Sequence, residues 1–383
     1  MHNLVMSLLL MMSVGSKPAG AVEPLMIWAP AIELPSKIRE FGDWTVVCDN
    51  IKICTAGSFS RATEKNEAKD DEGRFSGLTM WIGRKPGRLK RPVLLFDFSF
   101  YRDTQSASPL SLHVYYDALT DKIGKAYTLE ERETGRYYVA ENDIPTFLAE
   151  SSRTNLAAIR SANGEIFGII TTKGLNASLR YVDWQQGRVG TITALLESGH
   201  KSWQSVPPKP RKPWVYAAGQ VSELIVHQPA TEAVEALRAK FCGSQLSSKT
   251  PDAQAYQLVS GDRLWSIECG FPRVRNPRLL WITKSASGQF KTMFIPGTEG
   301  TSLLEMHSLP NSDFDPKTGI ITGTFKETDA GDCGWQQKWA WTGNRFKLVQ
   351  QLEMLTCDGR PMKQWFRTYQ TALGGFLDKP YAE

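Results

Sequence analysis

Three short strings in this 383-residue chain carry residue types suited to chemistry. Ser198-Gly199-His200-Lys201 matches S-x-x-K and Lys317-Thr318-Gly319 matches K-T-G, two signatures of acyl transfer by a serine nucleophile. That machinery also needs an S-D-N element, with its serine at a helix start and K-T-G on a strand. Here the only third element is Ser312-Asp313-Phe314, just upstream of K-T-G; Ser198 precedes a proline-rich run, and Lys317 lies in a D-P-K-T-G turn. The match is therefore set aside. The third string alternates Asn311, Asp313 and Asp315 as a calcium loop does. Pro316 stands where such a loop needs glycine, and Thr322 where it needs a bidentate glutamate. An Asx turn before a strand is the simpler expectation.

The histidines beyond His2 are His113, His200, His227 and His307, and none stands in an H-x-H or H-E-x-x-H arrangement. Zinc needs three or four preorganised ligands, so no metal and no cofactor are expected. His113 alternates with Leu112 and Val114 in "SLHVYYD" and reads as a strand residue. G-x-S-x-G and phosphate-cradling glycine loops are absent from the sequence, and no catalytic residue is assigned.

Six cysteines remain: Cys48, Cys54, Cys242, Cys269, Cys333 and Cys357. Six cysteines allow fifteen pairings; their spacing favours nearest neighbours, Cys48–Cys54, Cys242–Cys269 and Cys333–Cys357. The first pair sits in "FGDWTVVCDNIKICTAGSFS", where period-two alternation flanks an Asp49-Asn50 turn. That pattern predicts a hairpin, and facing positions in a hairpin lie within disulfide reach. A staple is expected rather than a redox pair, which would more often be C-x-x-C at a helix start.

Two candidates for binding are left. Arg188 follows the end of a helical pattern, where it could satisfy terminal carbonyls or pair with Asp183. Alternatively it could offer a bidentate fork to a carboxylate or phosphate. Trp335, Trp339 and Trp341 in "GWQQKWAWTGNRF" share one face of a predicted strand. That face fills a core or, if uncovered, suits a protein partner or a sugar ring.

The elements that must position these residues can be read in outline. Strands are predicted in "GLTMWIG", "VLLFDFSF", "LSLHVYYD", "AYTLE", "RYYVA" and "GEIFGIITT", with a charged loop at 61–74. A short helix, "IPTFLAESSR", is capped by Asn142 or Asp143 with Pro145 in its first turn. A second runs from about Leu175, with Leu179, Val182 and Gln186 at helical spacing, and ends at Gly187; "TITALL" continues as strand or helix. The proline-rich "VPPKPRKPW" reads as a linker at 206–214. Beyond it come a possible strand "VSELIVHQ", a helix "ATEAVEALRAKFC" with Ala233, Ala236, Leu237 and Ala239 on one side, and a strand-rich meander. The expected class is α+β: a β-sandwich-like module with short helices over 41–205, then a disulfide-bridged β-rich domain over 215–383.

At the start, Leu4 to Val14 is apolar and Ala19-Gly20-Ala21 fits an A-x-A site, the pattern of a signal peptide over 1–21; 22–40 reads as a leader. No stretch is long and apolar enough for a membrane-spanning helix. Lys and Arg number 45 against 40 Asp and Glu, a formal charge of +5, and no basic cluster is interleaved with aromatics as nucleic-acid binding would need.

The elements "FGDWTVVCDNIKICTA", "LNASLRYVDWQQGRVGTITAL", "LWSIECG", "DCGWQQKWAWTGNRFKLV" and "CDG" together resemble the DUF1176 family of exported bacterial proteins. The first module is also similar to the invasion-associated locus B family, which shares the F-G-D-W…C start. The resemblance implies an exported, disulfide-bonded protein and no assigned activity, so it supplies no site residues. The expectation is a non-catalytic binding or interaction protein of a Gram-negative periplasm or outer surface, with an envelope protein or glycan as partner. A hydrolase of an envelope polymer and a structural envelope component are the alternatives.

Overall fold

The stretch "FGDWTVVCDNIKICTAGSFS" forms the expected hairpin. In the computed structural model, strand β1 (Arg39–Phe41) pairs with β2 (Trp44–Cys48), and β2 with β3 (Cys54–Phe59). Asp49 closes the turn by accepting from Ile51 N–H at 3.0 Å and Ile53 N–H at 2.8 Å. Cys48 and Cys54 are cross-strand partners and are disulfide-bonded, with Cα atoms 4.0 Å apart. The structure describes residues 38–59, 78–98, 110–117, 122–164, 166–218, 231–242, 253–269, 275–285, 287–292, 308–357 and 359–374. The segment read as a signal peptide, most of that read as a leader, the loop expected at 61–74, the strand expected in "VSELIVHQ", His227 and His307 lie outside the described residues.

The chain continues through β4 (Thr79–Arg84), β5 (Pro92–Asp97), β6 (Leu110–Asp117), β7 (Lys122–Glu133) and β8 (Arg136–Val139). Helix α1 (Ile144–Ser151), β9 (Leu156–Ser161), β10 (Ile166–Thr171) and α2 (Leu175–Gln185) follow. Among the described residues the ten strands form one sheet, in the order β1-β2-β3-β4-β5-β8-β7-β6-β9-β10. Its bend is carried by β7, which pairs with β6 through Thr128 and with β8 from Leu129. The sheet thereby curls, and its last strand returns to its first. Trp44 Nε1 donates to Thr171 O at 3.1 Å, and Asp43 N–H to Lys173 O at 3.0 Å. This approach requires glycine at 174: its φ is +100°, and a Cβ there would lie 1.7 Å from Phe41 O.

One core lies inside this curl, built from Trp44, Val46, Met80, Leu94, Phe96 and Leu112, with Phe147 of α1 and Leu175, Leu179 and Val182 of α2. The helical spacing read from the sequence is the spacing α2 buries. Asp143 stands at the N-cap of α1 without capping it, because its carboxylate pairs with Lys125 Nζ at 3.0 Å instead. "TITALL" is neither strand nor helix; the segment turns back on itself through a bridge between Thr191 and Lys201.

The second half begins with β11 (Trp214–Tyr216), α3 (Thr231–Phe241), β12 (Ala253–Gln257), β13 (Arg263–Glu268), β14 (Arg278–Lys284), β15 (Phe290–Thr292) and β16 (Ser308–Pro310). Then come β17 (Asp313–Asp315), β18 (Ile320–Lys326), β19 (Gly334–Trp341), β20 (Phe346–Met354), β21 (Phe366–Gln370) and β22 (Ala372–Gly374). Strands β12 to β16 make one sheet and β17 to β21 an antiparallel meander. The side of α3 that packs against β13 presents Val234 and Leu237 with Ala233 beside them and Arg238 also buried, so Leu237 and Ala233 of the expected side face the core while Ala236 and Ala239 are exposed. Cys242 at its end is bonded to Cys269, and Cys333–Cys357 closes the base of the β19–β20 hairpin. The chain is thus mostly β with three short α-helices described, in several sheets held by three disulfides.

The two halves touch. Val47 shares a cluster with Met354, Trp365 and Phe366, and the Trp81 and Phe366 rings meet edge to face at 5.2 Å. Asn50 exchanges two 2.9 Å hydrogen bonds with the Gln370 backbone. The proline-rich segment is held at both ends. Pro207 lies against Gly187, where a Cβ would approach it to 2.7 Å, and Pro213 O accepts from Ala372 N–H at 2.7 Å. No described helix is long and apolar enough to cross a membrane.

Candidate functional site

Arg188 is placed inside the molecule by the loop that ends α2. Gly187 takes φ +65°, which turns the chain so that Arg188 N–H donates to Asp183 O at 2.7 Å. Its side chain is 0% exposed. Nε donates to Gln186 Oε1 at 3.0 Å, and Nη1 to Thr193 Oγ1 at 2.9 Å and Arg88 O at 3.3 Å; Nη2 donates to Gly87 O. The expected pairing with the Asp183 carboxylate is taken by Arg84, whose Nη1 lies 3.2 Å from it, while Leu195 N–H donates to the other oxygen at 2.7 Å. Burial, with Arg188 nearby, lowers the Arg84 pKa to about 10; burial raises that of Asp183 and lowers that of Arg188. Desolvation outweighs attraction at all three groups. Arg188 is therefore a structural residue that holds three loops together. Its fork has no ligand to meet, because protein oxygens already fill it.

The tryptophan stripe is likewise enclosed. Trp339 and Trp341 are 0% and 3% exposed. They pack in a core with Tyr256, Leu264, Trp281 and Phe314, contributed largely by the facing sheet. Trp335, half-buried, stacks on Phe325 with ring centroids 5.9 Å apart. These three residues, candidates for binding by sequence, fill and border a core because a second sheet covers their face.

An aromatic surface does exist, at the end of the segment read as a linker. Trp214 starts β11, which pairs in parallel with β22: Trp214 with Ala372, Val215 with Leu373, Tyr216 with Gly374. Val215 turns inward against Ala340 and Val349. Alternation then puts Trp214 and Tyr216 on the outside, where they are 49% and 41% exposed. Their rings are nearly parallel, 19° apart in plane with centroids at 6.2 Å. Both lean over Gly374, where a Cβ would meet Tyr216 at 3.3 Å and Trp214 at 3.4 Å. The glycine leaves the space that lets the rings lie as they do.

Beside this shelf, the tip of the β19–β20 hairpin supplies Thr342, Asn344, Arg345 and Lys347, and together they line a hollow of about 250 Å³. Thr342 Oγ1 fixes the tip through Arg345 O at 2.7 Å and Asn344 Oδ1 at 3.1 Å. The lining holds two cations and no carboxylate. Such a surface can stack a ring, hydrogen-bond to hydroxyls and attract an anion. Among the described residues its lining holds no carboxylate, histidine, serine or cysteine. Sequence reasoning missed Trp214 and Tyr216. Their signal was the alternation W-V-Y after prolines, which also fits any short edge strand.

A second aromatic patch, Phe41, Tyr181 and Trp184, lies where α2 meets β1, with Trp184 exposed. Its cation, Arg180, is already paired with Glu197. The strings set aside earlier stay apart from both. Lys201 takes part in the bridge to Thr191. Asp315 accepts from Lys317 N–H at 2.9 Å and from Thr318 Oγ1 at 2.7 Å, making K-T-G a turn; the Thr318 bond leads in lowering the Asp315 pKa. Asn311 turns its amide inward to Asn276 Oδ1 and Thr324 O, both at 2.9 Å. Asp332 stands beside Cys333 and Cys357 at metal-ligand spacing, but the two sulfurs are bonded to each other. The aspartate accepts from Gly359 N–H at 2.7 Å and from Thr328.

A family model described as "Protein of unknown function (DUF1176)" matches residues 38–372. The chain is 24% identical over 339 residues to the uncharacterized protein YpfG of Escherichia coli (strain K12), covering 87% of this chain and 91% of that protein. The crystal structure of invasion associated protein B from Bartonella henselae is similar over 40% of this chain and 99% of that one. Identity there is 15% and the TM-score 0.28, too low to carry an argument.

Proposed function

We propose that this chain, which belongs to the DUF1176 family, is an exported, non-catalytic binding protein of the cell envelope whose ligand rests on the Trp214–Tyr216 shelf. The observation that carries this is the pair of half-exposed, nearly parallel rings beside two cations, with no carboxylate in the lining. Large aromatic faces are left open to water at a cost in hydrophobic free energy, and a ligand that covers them recovers it. Three disulfides support an oxidising compartment, hence the periplasm or outer surface. In this reading residues 41–205 are a sandwich-like domain, 215–383 a β-rich one, and 206–214 the strap between them.

A hydrolase of envelope polymers would need paired carboxylates, or a serine with its base, beside the shelf. Its lining offers neither. The test is co-sedimentation of the mature protein with isolated cell-wall sacculi and with outer-membrane vesicles. Wild type is expected to be retained, and a Trp214→Ala, Tyr216→Ala double variant with an unchanged melting curve at least about tenfold less. Equal retention of both proteins, or release of soluble fragments by wild type, would overturn the proposal.

A further inference from the structure

The geometry points to an acidic saccharide as the occupant of the shelf, an inference that rests on the binding role proposed above. Each part of the surface speaks to one part of such a ligand. Two nearly parallel aromatic rings offer apolar faces at the size of a pyranose ring. The exposed Asn344 amide, held at the hairpin tip by Thr342 Oγ1, suits sugar hydroxyls. Arg345 and Lys347 on the same hairpin suit a carboxylate or phosphate on the sugar. Among the described residues neither cation is paired with a carboxylate, in contrast to Arg180 beside the other aromatic patch.

The approach to the shelf carries the same sign. Lys209, Arg211 and Lys212 are exposed on the strap that runs directly into Trp214, and that strap is anchored at Gly187 and at Ala372. Positive charge is therefore carried by an anchored segment that leads into the rings. A chain of acidic sugars can lie along the strap with one residue on the shelf.

Two other occupants fit less well. A protein partner needs roughly 800 Å² per side and would have to extend well beyond the six residues that line this hollow. A nucleic acid carries a charge every few ångströms and needs a long basic track; here two cations line the site and three precede it.

The experiment is calorimetric titration of the full mature protein with matched oligosaccharides of one backbone: uronate form, carboxyl-reduced form and phosphorylated form. A single-stranded oligonucleotide is the fourth titrant. The expected result is binding of one or both acidic forms about tenfold or more tighter than the neutral form, weakening with salt. An Arg345→Gln, Lys347→Gln variant should lose that preference while keeping the neutral affinity. The uronate and phosphate arms tell which anion the shelf prefers. Equal binding of acidic and neutral forms, abolished by Trp214→Ala, would overturn the acidic-saccharide inference and leave the shelf as a binding site. No saccharide bound, or binding indifferent to Trp214→Ala, would overturn both. Tighter binding of the oligonucleotide would replace the saccharide.

Discussion

The Arg188 hub and the Trp214 shelf lie at opposite ends of one strap, and they differ in what completes them. In the hub, two guanidinium groups and one carboxylate are enclosed, and Gly87, Arg88, Lys90 and Thr193 carbonyls fill the remaining donors. On the shelf, two rings and two cations stand at least partly open, with no group among the described residues covering the rings. A completed polar network stabilises position; an incomplete surface is available to another molecule. Charge and aromaticity therefore do not by themselves mark a site. What marks it is whether the fold has already used them.

The comparison breaks most visibly at the hub. Asp183→Ala leaves two buried arginines without their counter-ion, and unfolding in urea should show a loss of roughly 3–5 kcal/mol, with saccharide affinity retained wherever the protein is folded. Loss of binding at full stability would show that the hub and the shelf are one unit. A smaller loss, roughly 3 kcal/mol, is expected when Cys333 and Cys357 are both replaced by alanine. That change frees the base of the hairpin whose tip carries Arg345, so affinity should also fall. Gly374→Val should cost about 1–3 kcal/mol by pushing the rings aside, and weaken binding without replacing any ligand-facing side chain.

A finer contrast uses Glu353, a half-buried acid that, unlike Asp183, has amide and hydroxyl neighbours in place of a cation. Burial raises its pKa, against hydrogen bonds from Gln351 and Thr368. Its folded form thus holds a proton that the unfolded chain releases, so its contribution to stability is present below the ordinary glutamate range and is lost as pH rises through the raised value. Glu353→Gln should be more stable than wild type near neutral pH, with the advantage shrinking towards about pH 4. Melts at the two pH values check the sign. The smallest stability effect belongs to Trp214→Ala, within about 0.5 kcal/mol, even though it removes binding.

How much of this could be read from the sequence depends on how local each determinant is. The Cys48–Cys54 hairpin was legible because its alternation and its Asp49-Asn50 turn act within a few residues. Helix α2 was legible for the same reason, from Leu175 to the positive-φ Gly187. The tryptophan stripe was not decidable, since Trp339 is core only because Tyr256, Trp281 and Phe314 arrive to cover it. Asp143 looked like a cap until Lys125 claimed its carboxylate. The shelf was hidden most deeply. Whether Trp214 belongs to a loose linker or to a platform is decided by β22, far along the chain.

That pairing has a consequence for when the protein becomes competent. Trp214 finds its strand partner only at Ala372, and the rings find their resting place only at Gly374. The strands of the first curled sheet are complete within residues 39–171, well before those residues in the chain, whereas the shelf is not. Contacts so distant in sequence close late. A chain ending before residue 372 would lack the strand that places Trp214 and Tyr216, and the two rings would have no platform to lie on.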